Sequence, residues 1–267
     1  MKKLSLLFVG VALSLNATAA WQITPYGYFS QKAEVKNSSN KASYSVYGFD
    51  VKNEYFGFGY KRTSYDFDHK TFFKNLDLIY ASADYSGTIK GNWGYAVGLF
   101  VSVGWEDKFK VSKGYDVSPS AILTYDFKND WSVMAGVGGS LNKAHNFAFG
   151  ILGVKYRDPS DLGFSLSLGY PTTMANYRFS EKFALGAEAG AIRGGHYYLS
   201  KKELYAYEKG YEASLYMQYT PVKQFAIKTG VGYNIDREIK FYDSKTSVGK
   251  IEFKDEAHFF IDGIVSF

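Results

Sequence analysis

Between Trp93 and Trp105 the odd-numbered residues are Trp93, Tyr95, Val97, Leu99, Val101, Val103 and Trp105, and the even ones are Gly94, Ala96, Gly98, Phe100, Ser102 and Gly104. A repeat of two with the bulk on one side is the pattern of a β-strand, whose successive side chains point to opposite faces. At about 3.3 Å per residue this stretch runs about 40 Å, or about 30 Å along the membrane normal after a tilt near 40°. That is the thickness of a hydrocarbon layer, with a tryptophan at each boundary.

The same rhythm recurs along the chain. Tyr115 to Phe127 sets Val117, Ala121, Leu123, Tyr125 and Phe127 on one face, and Leu162, Phe164, Leu166 and Leu168 alternate with Gly163, Ser165, Ser167 and Gly169. A soluble β-sandwich needs polar residues on its outer faces. Here the second face is mostly Gly, Ala and Ser, which suits a barrel interior. The predicted fold is all-β, a transmembrane antiparallel up-and-down β-barrel. Its strands fall near 21–36, 42–52, 55–65, 74–89, 93–105, 115–127, 131–141, 147–157, 162–170, 174–180, 183–199, 204–220, 225–242 and 251–267. That makes fourteen, an even number as single-chain bacterial barrels have, and twelve if the strands flanking Pro171 form one irregular excursion. Around Leu78-Ile79-Tyr80 both parities are apolar, which predicts a bulge.

Four turns repeat one motif, a polar pair before an aromatic ring: Gly91-Asn92-Trp93, Asn129-Asp130-Trp131, Glu181-Lys182-Phe183 and Lys223-Gln224-Phe225. They predict Trp93, Trp131, Phe183 and Phe225 in one membrane interface and Trp105 in the other. Short turns are expected on the periplasmic side and longer loops outside.

The two ends set the expected compartment. Lys2 and Lys3, an apolar run from Leu4 to Leu15 and Ala17-Thr18-Ala19-Ala20 form a secretory signal peptide over 1–20, cut after Ala19 or Ala20, which leaves 21–267 as one barrel domain. Phe259, Ile261, Val265 and Phe267 alternate to the last residue, with Gly263 between them. This resembles the C-terminal signal by which bacterial outer-membrane barrels are recognised. The resemblance implies the barrel-assembly machinery as a partner and the bacterial outer membrane, with its lipids and lipopolysaccharide, as the location.

Composition narrows the function. Past the leader no window approaches the roughly 20 apolar residues of a membrane helix. With no cysteine there are no disulfides or thiolate metal sites, and no cofactor or metal is expected. Removing the leader lowers the formal charge from +5 to +3, too weak a bias for nucleic acid. The loop lysines Lys108, Lys110, Lys113, Lys201, Lys202, Lys245 and Lys250 read as solubilising, with lipopolysaccharide phosphate as the alternative contact.

Five places beyond each repeat's aromatic stand Gly98, Gly136 and Gly230, but Glu188 in the fourth strand. Folding the next hairpin about residue 201 sets Glu188 opposite Ser214 and makes Glu212 a diagonal neighbour. The candidate lumen-lining residues are therefore Glu188, Glu212 and Lys228. Two acids there bias passage toward cations; the competing reading is that they are solvated or paired with Lys228. The histidines are His69, His145, His196 and His258. Barrel phospholipases and lipid A deacylases carry His-x-Ser at the outer interface, and none of these four fits. His196 and Ser200 share a face with no acid to support them, so His196 reads as a rim histidine and no enzyme activity is expected.

Gly169-Tyr170-Pro171 followed by Tyr177-Arg178-Phe179-Ser180-Glu181-Lys182-Phe183 resembles an uncharacterised family of bacterial outer-membrane β-barrel proteins. The resemblance implies a barrel of unknown activity and lends no catalytic residues. Two functions stand: a porin-like passive channel for small hydrophilic solutes or ions, and a non-conducting structural or surface-interaction, adhesin-like barrel.

Overall fold

The computed structural model describes residues 20–69, 71–127, 129–192 and 195–267, so the expected leader lies outside them except for Ala20. The alternating segments form β1 (Gln22–Ser30), β2 (Ala33–Glu34), β3 (Lys41–Lys52), β4 (Phe56–Phe67), β5 (Asn75–Lys90) and β6 (Trp93–Trp105). A four-residue helix, α1 (Val111–Gly114), precedes β7 (Tyr115–Asp126), β8 (Trp131–Asn142), β9 (Phe147–Tyr156), β10 (Gly163–Tyr170), β11 (Thr172–Arg178) and β12 (Phe183–Ala191). The chain ends with β13 (His196–Leu199), β14 (Leu204–Val222), β15 (Phe225–Asp243), β16 (Thr246–Glu252) and β17 (Glu256–Ser266).

Neighbours pair antiparallel around the sheet, and β1 closes it on β17 with Gln22 opposite Ser266. Since β2 prolongs β1 and β16 with β17 is one broken stave, the closed wall has 14 staves. Closure also ties the first stave to the last, for Trp21 and Phe267 exchange both backbone hydrogen bonds, at 2.8 and 2.9 Å. A barrel has no free edge, so every wall strand finds partners on both sides.

The bulky parity faces out. Val97, Val137, Leu152, Leu168, Leu185, Leu215, Val231 and Ile261 are all exposed on separate staves. A continuous apolar girdle of that size is unstable in water and stable against lipid tails. At the short-turn end, Trp93 packs on Tyr125, Trp131 on Tyr156 and Phe183 on Tyr219, each pair at 4.8–5.0 Å between ring centres. These are cross-strand partners in register and make one aromatic belt. Phe225 lies at the same end opposite Val265, and Trp105 marks the other end, edge-on to Phe109. Phe259, Ile261, Val265 and Phe267 are exposed on the outer face of the last stave.

Three expectations change. β5 runs in unbroken register from Asn75 through Leu78 to Thr88, without a bulge at Leu78–Tyr80; the irregularity falls at Thr88/Lys90. Leu76 and Leu78 are apolar at inward parity because they are buried in a core at the long-loop end. The expected strand 183–199 is two elements, β12 and β13, and the inner face is not slim. A Cβ on Gly186 would sit 2.2 Å from the ring of Tyr216, so neighbouring aromatics lie where glycines make room.

The mouth at the long-loop end is closed by a tongue. β14 and β15 have 19 residues each, about 60 Å at 3.3 Å per residue and far more than a bilayer requires. Their register slips between Lys209 and Tyr211, at Gly210, whose φ is +155° and where a Cβ would lie 2.9 Å from the Cα of Arg237. Beyond that bulge the pair bends inward, as bulged strands do. β13 pairs antiparallel with β14 on one edge and parallel with β6 on the other, Tyr197 opposite Gly104 and Tyr198 opposite Trp105. β6 is the fifth stave and β14 the twelfth of 14, so this strand bridges nearly opposite walls. β7 begins at Tyr115, opposite Val103, which leaves the last residues of β6 with an unpaired edge for β13.

One face of the tongue, with Tyr197, Leu199, Ala206 and Ile239, is buried against Ala42, Tyr65, Phe67, Phe73, Leu76 and Leu78 of the first staves. Its other face, with Tyr198, Tyr205 and Tyr242, packs on Ala144. Each aliphatic side chain fully buried there contributes about 1.5–3 kcal/mol to keeping the tongue seated. His196 lies in this core with its ring stacked on Tyr205 at 5.3 Å and no exposed surface, so it is an interior residue of the tongue and not a rim histidine.

Candidate functional site: a chamber beneath the tongue

Below the tongue, inward residues of β1, β3, β4, β11, β12, β14, β15 and β17 enclose a chamber of about 390 Å³. Alternation puts them there: with Phe29, Phe49, Leu185 and Ile261 turned outward, Tyr28, Asp50, Glu188 and Asp262 on the other parity turn in.

The roof is a buried ionic network. Arg237 has a side chain 2 % exposed and donates from Nε to Glu208 Oε1 at 2.8 Å, from Nη1 to Glu256 Oε1 at 2.9 Å and from Nη2 to the Tyr65 hydroxyl at 2.6 Å. Its guanidinium plane lies 3.8 Å from the centre of the Tyr44 ring. Asn234 Nδ2 donates to the Tyr44 hydroxyl at 2.6 Å and to Glu256 Oε1 at 3.2 Å. A buried guanidinium is tolerated because its donors are met by fixed acceptors; losing any one charge would leave the others uncompensated. Glu208 and Arg237 belong to the tongue's base, Tyr44 and Tyr65 to β3 and β4 of the wall, so the network latches one to the other.

Lower in the chamber the charges are less matched. Glu188 lies opposite Ser214, and Glu212 is opposite Gly190 on the same strand pair. Lys228 Nζ is 3.4 Å from Glu188 Oε2 and 4.1 Å from the centre of the Tyr216 ring. Lys228 therefore belongs to Glu188. The basic neighbour of Glu212 is His258 Nε2 at 3.8 Å, and the imidazole is buried. Asp50 and Asp262 make no ion pair with any described residue, and Oδ1 of each is buried without a hydrogen-bond donor. Asn234 Oδ1 is likewise buried and unpartnered, although Asn234 lines the chamber. The far wall adds Asp84, whose Oδ1 approaches Gly98 on the inner face, and Asp116, bonded to Ser140 Oγ at 2.7 Å.

Of the three residues singled out from sequence, the structure brings Glu188 and Lys228 together as an ion pair and holds Glu212 diagonally from Glu188 in the same chamber, as the hairpin count predicts. Sequence reasoning passed over Asp50, Asp262, Glu208, Glu256, Asn234 and Arg237. A parity count contains the signal for two of them. Asp50 falls between Phe49 and Val51, and Asp262 between Ile261 and Gly263, on the inward register of strands whose other parity is apolar. No three His, Asp or Glu side chains converge on a metal position among the described residues.

No family model and no curated protein matches the chain. Among solved structures it is similar to the NanC porin, at 10 % identity over 91 % of this chain and 98 % of that one with a TM-score of 0.44. It is also similar to the translocator domain of the autotransporter NalP from Neisseria meningitidis, at 11 % identity over 100 % and 94 % with a TM-score of 0.43. A third is the KdgM porin, at 11 % identity over 91 % and 99 % with a TM-score of 0.37. These likenesses are too distant to assign an activity.

Proposed function

We propose that this protein is a passive outer-membrane channel for small hydrophilic solutes with a preference for cations, held closed at its outer mouth by the tongue. The observation that carries the reading is an imbalance inside the wall. Five carboxylates, those of Asp50, Glu188, Glu208, Glu212 and Asp262, line the chamber against two cations, Lys61 and Arg237, and Arg237 is engaged by Glu208 and Glu256. A lumen with an excess of one sign raises the local concentration of the opposite ion. In this reading residues 1–20 are removed on export, the last stave is recognised by the barrel-assembly machinery, and the girdle sits in the bacterial outer membrane among its lipids and lipopolysaccharide.

The fully buried face of the tongue favours a second reading, a barrel that never conducts and serves as a structural or surface-interaction element. The two separate at Gly104. A Cβ on that residue would lie 2.1 Å from the carbonyl oxygen of His196, so Gly104→Val pushes β13 off β6. In planar bilayers the refolded wild-type chain is expected to be mostly silent, and Gly104→Val to conduct steadily with a reversal potential displaced toward the cation. Silence in a correctly folded Gly104→Val barrel would sink the channel reading and leave the structural one.

A further inference from the structure

We infer that the chamber beneath the tongue is a binding site for an organic cation, of the class of small primary amines and diamines. The inference deepens the channel reading by naming a solute class, and it rests on that reading only for its transport meaning. Its basis is the chemistry of the groups left without partners. Asp50 Oδ1, Asp262 Oδ1 and Asn234 Oδ1 are buried, and all three are acceptors. The orientation of the Asn234 amide follows from its contacts, because the nitrogen donates to Glu256 and Tyr44 and the oxygen of this chamber-lining residue is left without a donor. Buried acceptors without donors cost free energy, and a group that offers several N–H donors and no acceptor answers all of them; a primary ammonium is such a group.

Three features favour an extended organic cation over a metal ion. The carboxylates are spread around the wall and do not converge on one point among the described residues. The Tyr28 ring lies among them, within electrostatic reach of Asp262, Glu212, Glu188 and Asp50, and with Tyr26 it gives the chamber aromatic faces on which a cation or its alkyl chain can rest. The volume, about 390 Å³, falls within the range of small-molecule sites. With five carboxylates on the wall against Lys61 and Arg237, the excess of negative charge favours a cation over an anion or a neutral polyol.

The test is calorimetric titration of the refolded full chain in detergent with 1,4-diaminobutane, using 1,4-butanediol and potassium chloride as controls. Saturable binding of the diamine is expected, with neither control reproducing it. Asp50→Asn and Asp262→Asn should each weaken binding tenfold or more. Asp84→Asn, which removes the same charge from the other wall, should change it less than twofold. Glu212→Gln serves as a further chamber variant should either aspartate variant fail to refold. Absence of saturable binding, equal binding of the diol, or equal loss in Asp84→Asn would each overturn the inference. The channel reading is scored separately: cation-selective conductance without diamine binding defeats this inference alone, and diamine binding in a barrel that never conducts defeats the channel alone.

Discussion

The amide of Glu106, at the end of β6, donates a 3.1 Å hydrogen bond to the carbonyl of Tyr198 in β13. With the parallel pairing of Tyr198 opposite Trp105, this fixes the tip of the tongue to the wall opposite its root. The chain has no cysteine, so a pair introduced there reports on this contact alone. Trp105→Cys with Tyr198→Cys is expected to form a disulfide under mild oxidation. Bilayer recordings should then show no openings until a reductant is added, and openings that persist in the oxidised form would mean that the tongue is not the gate.

His196, outside the spanning segments, is pushed down to about 4 by burial in the tongue core, and Lys245 acts in the same direction. Tyr205 is the titratable group stacked on it. A histidine with a lowered folded-state pKa takes up its proton more readily once the tongue withdraws. The seated state therefore loses stability as pH falls below about 6.5, by about 3 kcal/mol once below 4. Opening is expected to increase between pH 6.5 and 4, and His196→Leu should flatten that dependence. Equal acid sensitivity in the variant would place the switch elsewhere.

Removing the latch should loosen the tongue without opening the wall. Arg237→Met strands Glu208 and Glu256 in the interior, a loss of about 3–5 kcal/mol. Hydrogen exchange of the backbone amides at 196–209 is expected to accelerate by a hundredfold or more, while β7 and β8 exchange at the wild-type rate. Replacing both carboxylates as well, with Glu208→Gln and Glu256→Gln, should recover part of the protection.

Glu188 and Glu212 are both acidic and sit on adjacent staves, but they are not equivalent. Lys228 offsets Glu188, so Glu188→Gln is expected to shift the reversal potential little, and Glu212→Gln to reduce cation preference clearly. Lys228→Met should make Glu188 count, which a second Glu188→Gln change would reverse. Identical small shifts for both glutamates would point to selectivity set by Asp50 and Asp262.

Much of the wall was legible in the sequence because a barrel strand imposes its rule residue by residue. Trp93–Trp105 alternates over the whole of β6, and the aromatic-after-turn motif marks Trp93, Trp131 and Phe183, which the structure gathers into one belt. The opposition of Glu188 and Ser214 also follows from hairpin counting, since register is local to a turn. The tongue was not legible. His196 to Leu199 reads as the end of a long strand, and nothing within a few residues of it tells that its second partner is Gly104–Trp105 on the opposite wall.

By itself the sequence determined which faces meet lipid, where the belt lies and, between fourteen and twelve, how many staves close, because those depend on a period of two and on neighbours in the chain. The tertiary structure alone decided which charges are matched. Arg237 meets Tyr65 across 172 residues and Asn234 meets Tyr44 across 190, and no periodicity carries that information. Ion pairing depends on distance through the lumen, and the lumen exists only once the first stave has met the last.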